Sequence, residues 1–274
     1  MTIGIFSRTF AHASFAECLA AASAAGYDGV HLSLASVGLE PLPESIPEGL
    51  GETVKAQAAN QGMKLLGLSA TFNAAHPSQD YRREHTRRAG LLIKAARDME
   101  IDVVSICTGS RSEKSMWEFH PDNAGPEAWA DARRTISELA KMAQDEGVVL
   151  GMEPEPANVV ASAEMAERML GEVGSEAIRV ILDPANLISV PGGVAAQELI
   201  LGQAFERLAR YTGIVHAKDH GADGAMCAPG EGVVDFPLVF ELIRKHRSGV
   251  PVVTHNLSES AAARTAAFLK QGLK

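Results

Sequence analysis

Val148-Val149-Leu150-Gly151-Met152-Glu153-Pro154-Glu155-Pro156 is an apolar run that ends in an acid. A short β-branched stretch halted by alternating prolines reads as a buried strand, with Glu153 at its C-terminal end. Acids at that end are what the rim of an α/β active site requires. Three later runs end in the same way. Asp183 follows Val180-Ile181-Leu182, His216 follows Ile214-Val215, and His255 follows Val252-Val253-Thr254.

Eight short runs predict strands at Ile3–Phe6, Gly29–Leu34, Leu65–Ala70, Val103–Thr108, Val148–Glu153, Arg179–Asp183, Ile214–Lys218 and Pro251–Thr254. Eight segments rich in Ala, Leu, Glu, Lys or Arg follow them and predict helices over Ser14–Ala25, Glu48–Gln61, Tyr81–Met99, Glu127–Glu146, Ser162–Gly171, Val194–Arg210, Phe236–His246 and Glu259–Gln271. Punctuation agrees: Ser14 and Ser162 stand at N-cap positions, Pro126 opens a helix, and Gly26, Gly62 and Gly147 precede new strands. Strict alternation argues for parallel βαβ units, and eight of them close into a (β/α)8 TIM barrel. With 274 residues and no linker composition, a single domain over 1–274 is expected. An open doubly wound sheet is the alternative; no GxGxxG follows the first strand, which weakens a dinucleotide-binding version of it.

A net charge of −9 and a pI near 5.5 speak against nucleic acid as a partner, since phosphate recognition needs a basic surface. Cys18, Cys107 and Cys227 are widely spaced and odd in number, which suggests neither a disulfide framework nor a zinc knuckle. With no signal peptide and no apolar run of about 20 residues, the expectation is a cytoplasmic protein that acts on a small molecule away from membranes.

Glu153, Asp183, His216 and His255 fall 30, 33 and 39 residues apart in succession. Each interval is about one βα unit, so a barrel brings all four to one ring of strand ends. Taken singly, each has a plainer role: a salt-bridged glutamate, an Asx turn at Asp183-Pro184, a core histidine, a polar strand end. Four such residues at matching positions point instead to one divalent metal ion (Mn, Mg, Co or Zn), with coordination positions left for substrate oxygens.

Other candidates surround this set. Lys218 and Asp219, just past His216, are placed to bind substrate hydroxyls or orient the imidazole, and a solvated pair is the alternative. Asn158 and Asn186 are substrate contacts or plain turn residues, and His31 is a core, rim or substrate residue. Asn73 and His76 lie in the segment after the third strand. Arg111, in Thr108-Gly109-Ser110-Arg111, is a candidate for a phosphate or carboxylate group. Trp117, in the long loop with His120 and Asn123, is a candidate apolar wall.

These stretches together resemble a known family. MEPEP at Glu153, ILDPANL with Asp183 and Asn186, VHAKDH with His216, Lys218 and Asp219, and GEGVVDF are similar to the sugar phosphate isomerase/epimerase group of the xylose isomerase-like TIM barrels. TFNAAHP, CTGSR and the Trp117/His120 loop resemble it as well. The resemblance spans nearly the whole chain. It implies one divalent ion held by Glu153, Asp183, His216 and a fourth ligand from the eighth strand. It also implies a keto sugar, sugar acid or sugar phosphate as substrate, and a homodimer or homotetramer.

At the fourth ligand the chain departs from the pattern, with His255 where many relatives carry a glutamate. The resemblance implies that Glu153 removes the proton next to the substrate carbonyl. The partner acid/base is then His255, His76, Glu155 or water. An isomerase or epimerase is the first expectation. A lyase of the inosose-dehydratase kind, an apurinic-site endonuclease with three zinc ions and a non-catalytic binding barrel are the others.

Overall fold

Each of the eight short runs forms a strand of one parallel sheet that closes on itself in the computed structural model, which describes every residue except Ala13, Pro191 and Ser248. In chain order the strands are β1 (Ile3–Phe6), β2 (Gly29–Leu32), β3 (Lys64–Ser69), β4 (Val103–Cys107), β5 (Val149–Glu153), β6 (Ile178–Leu182) and β7 (Thr212–Ala217). A short antiparallel pair, β8 (Asp219–His220) and β9 (Met226–Cys227), precedes the last barrel strand, β10 (Val252–Thr254). β1 pairs with both β2 and β10, and every barrel neighbour is parallel. The expected (β/α)8 barrel is therefore present.

The helices are α1 (Phe15–Ala24), α2 (Leu50–Asn60), α3 (Gln79–Asp98), α4 (Pro126–Glu146), α5 (Ala163–Val173), α6 (Pro184–Ile188), α7 (Gln197–Leu208), α8 (Phe236–His246) and α9 (Glu259–Gly272). Their starts follow the capping chemistry in the sequence. Ser14 and Glu17 form a reciprocal capping box on α1, Ser162 caps α5, and Pro126 occupies the first turn of α4, where its missing N–H costs nothing. Bounds shift from expectation by a few residues. The largest shift is at Val194–Arg210, where α7 is flanked by 3-10 turns. Two elements escape the periodicity argument: α6, a single turn and a half opened by Asp183, and the β8–β9 hairpin. Both are too short to show a period.

Two cores result. Strand residues that point outward pack with the helices into one large apolar cluster, to which Leu150, Met152, Val180, Leu182 and Val215 belong. Inside the barrel lies a small cluster of Phe6, Val103, Ile181, Ile214 and Val253, with Leu66 against it. Gly151 completes this layer by omission, since a Cβ there would stand 2.9 Å from Val103 Cγ1 and 3.0 Å from Ile181 Cγ1.

Candidate active site

Side chains alternate across a strand, so the interior apolar layer fixes what points inward one step later. Two residues past Gly151, Ile181, Ile214 and Val253 stand Glu153, Asp183, His216 and His255. Because all barrel strands run the same way, the four side chains emerge at one end of the barrel. One ligand atom from each lies within 4.8 Å of every other. This is the grouping expected from the sequence spacing.

The group sits on an aromatic floor. The Phe6 ring centroid is 5.2 Å from that of His255 and 5.7 Å from that of His216, and it stacks on His31 at 4.2 Å. Glu153 Oε1 lies 3.2 Å from His216 Nδ1 and accepts a hydrogen bond from Asn186 Nδ2 at 3.0 Å. Asp183 Oδ1 caps α6 through the N–H of Ala185, while its Oδ2 lies 3.4 Å from Lys218 Nζ and 3.5 Å from His255 Nε2. Lys218 also donates to Asn186 Oδ1, so one amide ties the lysine to Glu153.

Charges in this pocket reinforce one another. Burial disfavours the charged forms of Glu153 and Asp183, but His216 beside the first and Lys218 beside the second outweigh it. Both carboxyls are held below their usual range. Burial likewise opposes the Lys218 ammonium, yet Asp183, Glu153 and Glu155 push it up to about 12. Burial depresses the His255 imidazole, and burial also lifts Glu155 to about 7.

Asp183 Oδ2, His216 Nε2 and both ring nitrogens of His255 are buried without a hydrogen-bond partner. Orphaned buried polar atoms cost about 1–3 kcal/mol each, so a cluster of them calls for an occupant. Ligands on opposite sides of an ion at about 2.0–2.2 Å stand about 4–4.4 Å apart, close to the spread observed. Two carboxylates and two imidazoles suit a divalent ion of the Mn, Mg, Co or Zn kind. Residues and group fit.

A sequence profile of the xylose isomerase-like TIM barrel family matches residues 19–272. The chain belongs to that family. No curated protein matches it closely enough to count as a relative. Among solved structures, an L-ribulose 3-epimerase superposes with a TM-score of 0.79 at 18% identity, over 100% of this chain and 95% of that one. A D-psicose 3-epimerase from Clostridium cellulolyticum H10, solved with D-tagatose, gives 0.77 at 16% identity over 100% of both chains. An IolI protein solved with a zinc atom gives 0.75 at 14% identity over 99% of this chain and 98% of that one. At these identities the likeness shows the fold alone.

A cleft of about 320 Å³ opens onto the cluster of this xylose isomerase-like barrel, lined by Arg8, Trp117, Glu153, Glu155, Lys218, His255 and Asn256. Trp117 stands 55% exposed as one wall. Arg8 and Asn256 escaped the sequence reading. Both directly follow or nearly follow barrel strands, and applying the strand-end rule to the first strand would have found Arg8. Asn256 adopts a left-handed backbone, φ 58°, which asparagine tolerates better than most residues.

The other expected contacts are engaged elsewhere. Asn73 Oδ1 accepts from the Ser110 N–H at 2.9 Å and its Nδ2 donates to the Ser112 carbonyl. Asn158 Oδ1 accepts from the Gly109 N–H at 2.6 Å and its Nδ2 donates to the Met116 carbonyl. Both brace the loop that presents Trp117. Gly109 is required there: its φ is 75°, and a Cβ would fall 2.1 Å from Asn73 Oδ1. Arg111 donates to Asp131 Oδ2 at 2.9 Å and to the Ala75 carbonyl, and Asp131 takes Arg82 on its other oxygen. Its charge is already answered.

His76 stacks on Tyr81 at 4.0 Å and lines a separate cleft with Thr71, Tyr81 and His85. His31 is fully buried beneath the cluster, with Nε2 2.9 Å from Ser105 Oγ. Asp219 neither orients an imidazole nor reaches the cleft: its two oxygens accept from the backbone N–H groups of His220, Val234, Gly230 and Gly232. The Gly230-Glu231-Gly232 turn is thus wrapped around a carboxylate.

Proposed function

We propose that this barrel is a divalent-metal-dependent isomerase or epimerase acting on a keto sugar, sugar acid or sugar phosphate. One observation carries the reading: Glu153 belongs to the four-residue ligand cluster and also lines the open cleft. The same carboxylate thus meets both ion and substrate. The folds of ketose 3-epimerases among the structural neighbours accord with it.

Glu153 is the base that takes the proton from the carbon next to the substrate carbonyl. Its carboxylate is ionised and therefore ready to accept. Asn186 holds Oε1 from one side, and Lys218 holds Asn186, so the base has a fixed direction. When bound at Glu153, Asp183, His216 and His255, the ion would supply positive charge for the oxygen on which negative charge develops. Trp117 forms one wall of the cleft.

Returning a proton needs a second acid. His76 lies in another cleft, whereas Glu155 lines the same one as Glu153, with Oε2 lacking a partner. Glu155 is the group we assign to that step. The same acid would serve loss of a β-hydroxyl, so product analysis separates a new stereocentre from water loss.

The test is solvent exchange. In D2O with Mn2+ and a panel of ketoses, keto acids and ketose phosphates, wild-type protein is expected to place deuterium next to the carbonyl. Glu153→Gln should slow this by about a hundredfold or more while the fold is retained, the usual scale for loss of a general base. Undiminished exchange in Glu153→Gln would refute the assigned role.

A further inference from the structure

The cleft holds two cations of different standing. Lys218 is committed: Asp183 and Asn186 take its ammonium inside the barrel. Arg8 is not. Among the described residues it has neither an acidic partner nor a hydrogen bond, although it lines the same cleft as Glu153 and His255. Its guanidinium carbon stands 5.4 Å from the centroid of the Phe6 ring, the ring that also contacts His255 and His216. Cation–π contact holds the group near the ring, and its N–H donors have no hydrogen-bond partner among the described residues.

Backbone around Arg8 is also held. It lies in the 3-10 turn Ser7–Thr9 that directly follows β1. Ser7 Oγ accepts from the Ser33 N–H at 3.0 Å and from Ser36 Oγ at 2.8 Å. This is a positioned arginine at the mouth of the cleft. Arg111, the sequence candidate for reading an anion, is the opposite case, with its charge answered by Asp131.

Charge in the cleft points the same way. With Glu155 carrying the proton it returns, Glu153 and Asp183 are balanced by Lys218 and Arg8. A divalent ion then leaves the site positive. A neutral sugar would leave that charge unanswered; an anionic group offsets it. Guanidinium groups bind carboxylate and phosphate through paired N–H donors, so either group would satisfy Arg8.

Resting on the isomerase/epimerase reading, we propose that the substrate carries an anionic terminus, carboxylate or phosphate, and that Arg8 receives it. Neutral ketoses are then poor ligands. Arg8 acts as a specificity residue and takes no part in proton transfer.

The experiment uses three six-carbon compounds without a ketone or aldehyde, one with neutral ends, one with a carboxylate end and one with a phosphate end: D-glucitol, D-gluconate and D-glucitol 6-phosphate. Each is titrated calorimetrically into the Mn2+-loaded full chain. At least one anion is expected to bind about tenfold or more tighter than glucitol, the scale of a hydrogen-bonded charge pair, and the preferred one identifies the terminus. Arg8→Gln should bring the anion-to-neutral ratio to within about twofold, and Arg8→Lys should restore part of it. A general disturbance of the fold would weaken all three probes together and leave the ratio intact.

Equal binding of all three probes by the wild type overturns the proposal, as does a ratio unchanged in Arg8→Gln. Because the probes have no ketone or aldehyde, this result stands apart from turnover. A kept ratio with no deuterium exchange on any substrate would remove the isomerase reading and leave the anion site in place. Exchange on neutral ketoses with a ratio of one would do the reverse.

Discussion

Asp183 and Asp219 are both buried aspartates near the C-terminal ends of neighbouring barrel strands, and they do opposite things. Asp219 is wholly inaccessible and has four backbone N–H groups on its two oxygens. Asp183 is 1% exposed and leaves Oδ2 without a hydrogen bond, beside His255 and Lys218. A buried carboxylate whose acceptor capacity is spent on backbone belongs to the scaffold. One whose second oxygen lacks a hydrogen bond, among imidazole nitrogens that lack one too, is built for a guest. The same division separates Asn186, which holds Glu153, from Asn73 and Asn158, which brace a loop.

The largest expected effect follows from Asp183. Asp183→Asn should weaken Mn2+ binding by more than a hundredfold, since loss of a supporting residue alone typically costs about 10–100-fold, while the metal-free protein stays folded. Calorimetric titration with circular dichroism checks both halves. If the variant binds as tightly as the wild type, Asp183 is scaffold and the contrast fails.

For Asp219 the prediction inverts. Asp219→Asn replaces one acceptor oxygen by a donor and strands two buried N–H groups, which should cost about 3 kcal/mol. At roughly 2–4 °C per kcal/mol for a chain of this size, melting falls by about 6–12 °C. The metal-to-protein ratio should not change. A variant that melts normally but loses its ion would reverse the roles assigned to the two acids.

A smaller effect should come from Asn186, which touches the cluster from outside. Asn186→Leu removes the amide between Lys218 and Glu153, and a loss of about 10–100-fold in metal affinity is expected. Smallest is Arg111→Met. It leaves Asp131 with Arg82, so stability should fall by about 1–2 kcal/mol, measured by urea unfolding, with the anion-to-neutral binding ratio unmoved. A fall in that ratio would return the anion-reading role from Arg8 to Arg111.

Much of this was legible in the sequence because two rules sufficed. Alternation of strand and helix gave the barrel, and the two-residue period along parallel strands brought Glu153, Asp183, His216 and His255 to one end. What stayed hidden depends on contacts between distant loops. Asp219 meets N–H groups 11–15 residues further on, in a turn whose shape the carboxylate itself creates. Asn73, Asn158 and Asn186 follow strand ends in the same fashion, and only tertiary neighbours distinguish brace from ligand support. Arg111 looked available because Asp131 is on the next helix, 20 residues away. Arg8 drew no notice in the sequence because the Phe6 ring 5.4 Å from it gains meaning only when the barrel closes.

The account stands on one ion shared by four strand ends. Elemental analysis of chelator-stripped protein, reloaded with Mn2+ or Zn2+ and freed of excess, tests it directly. One ion per wild-type chain, and none in Asp183→Asn, is the expected result. Three zinc ions per chain, or none, would contradict it.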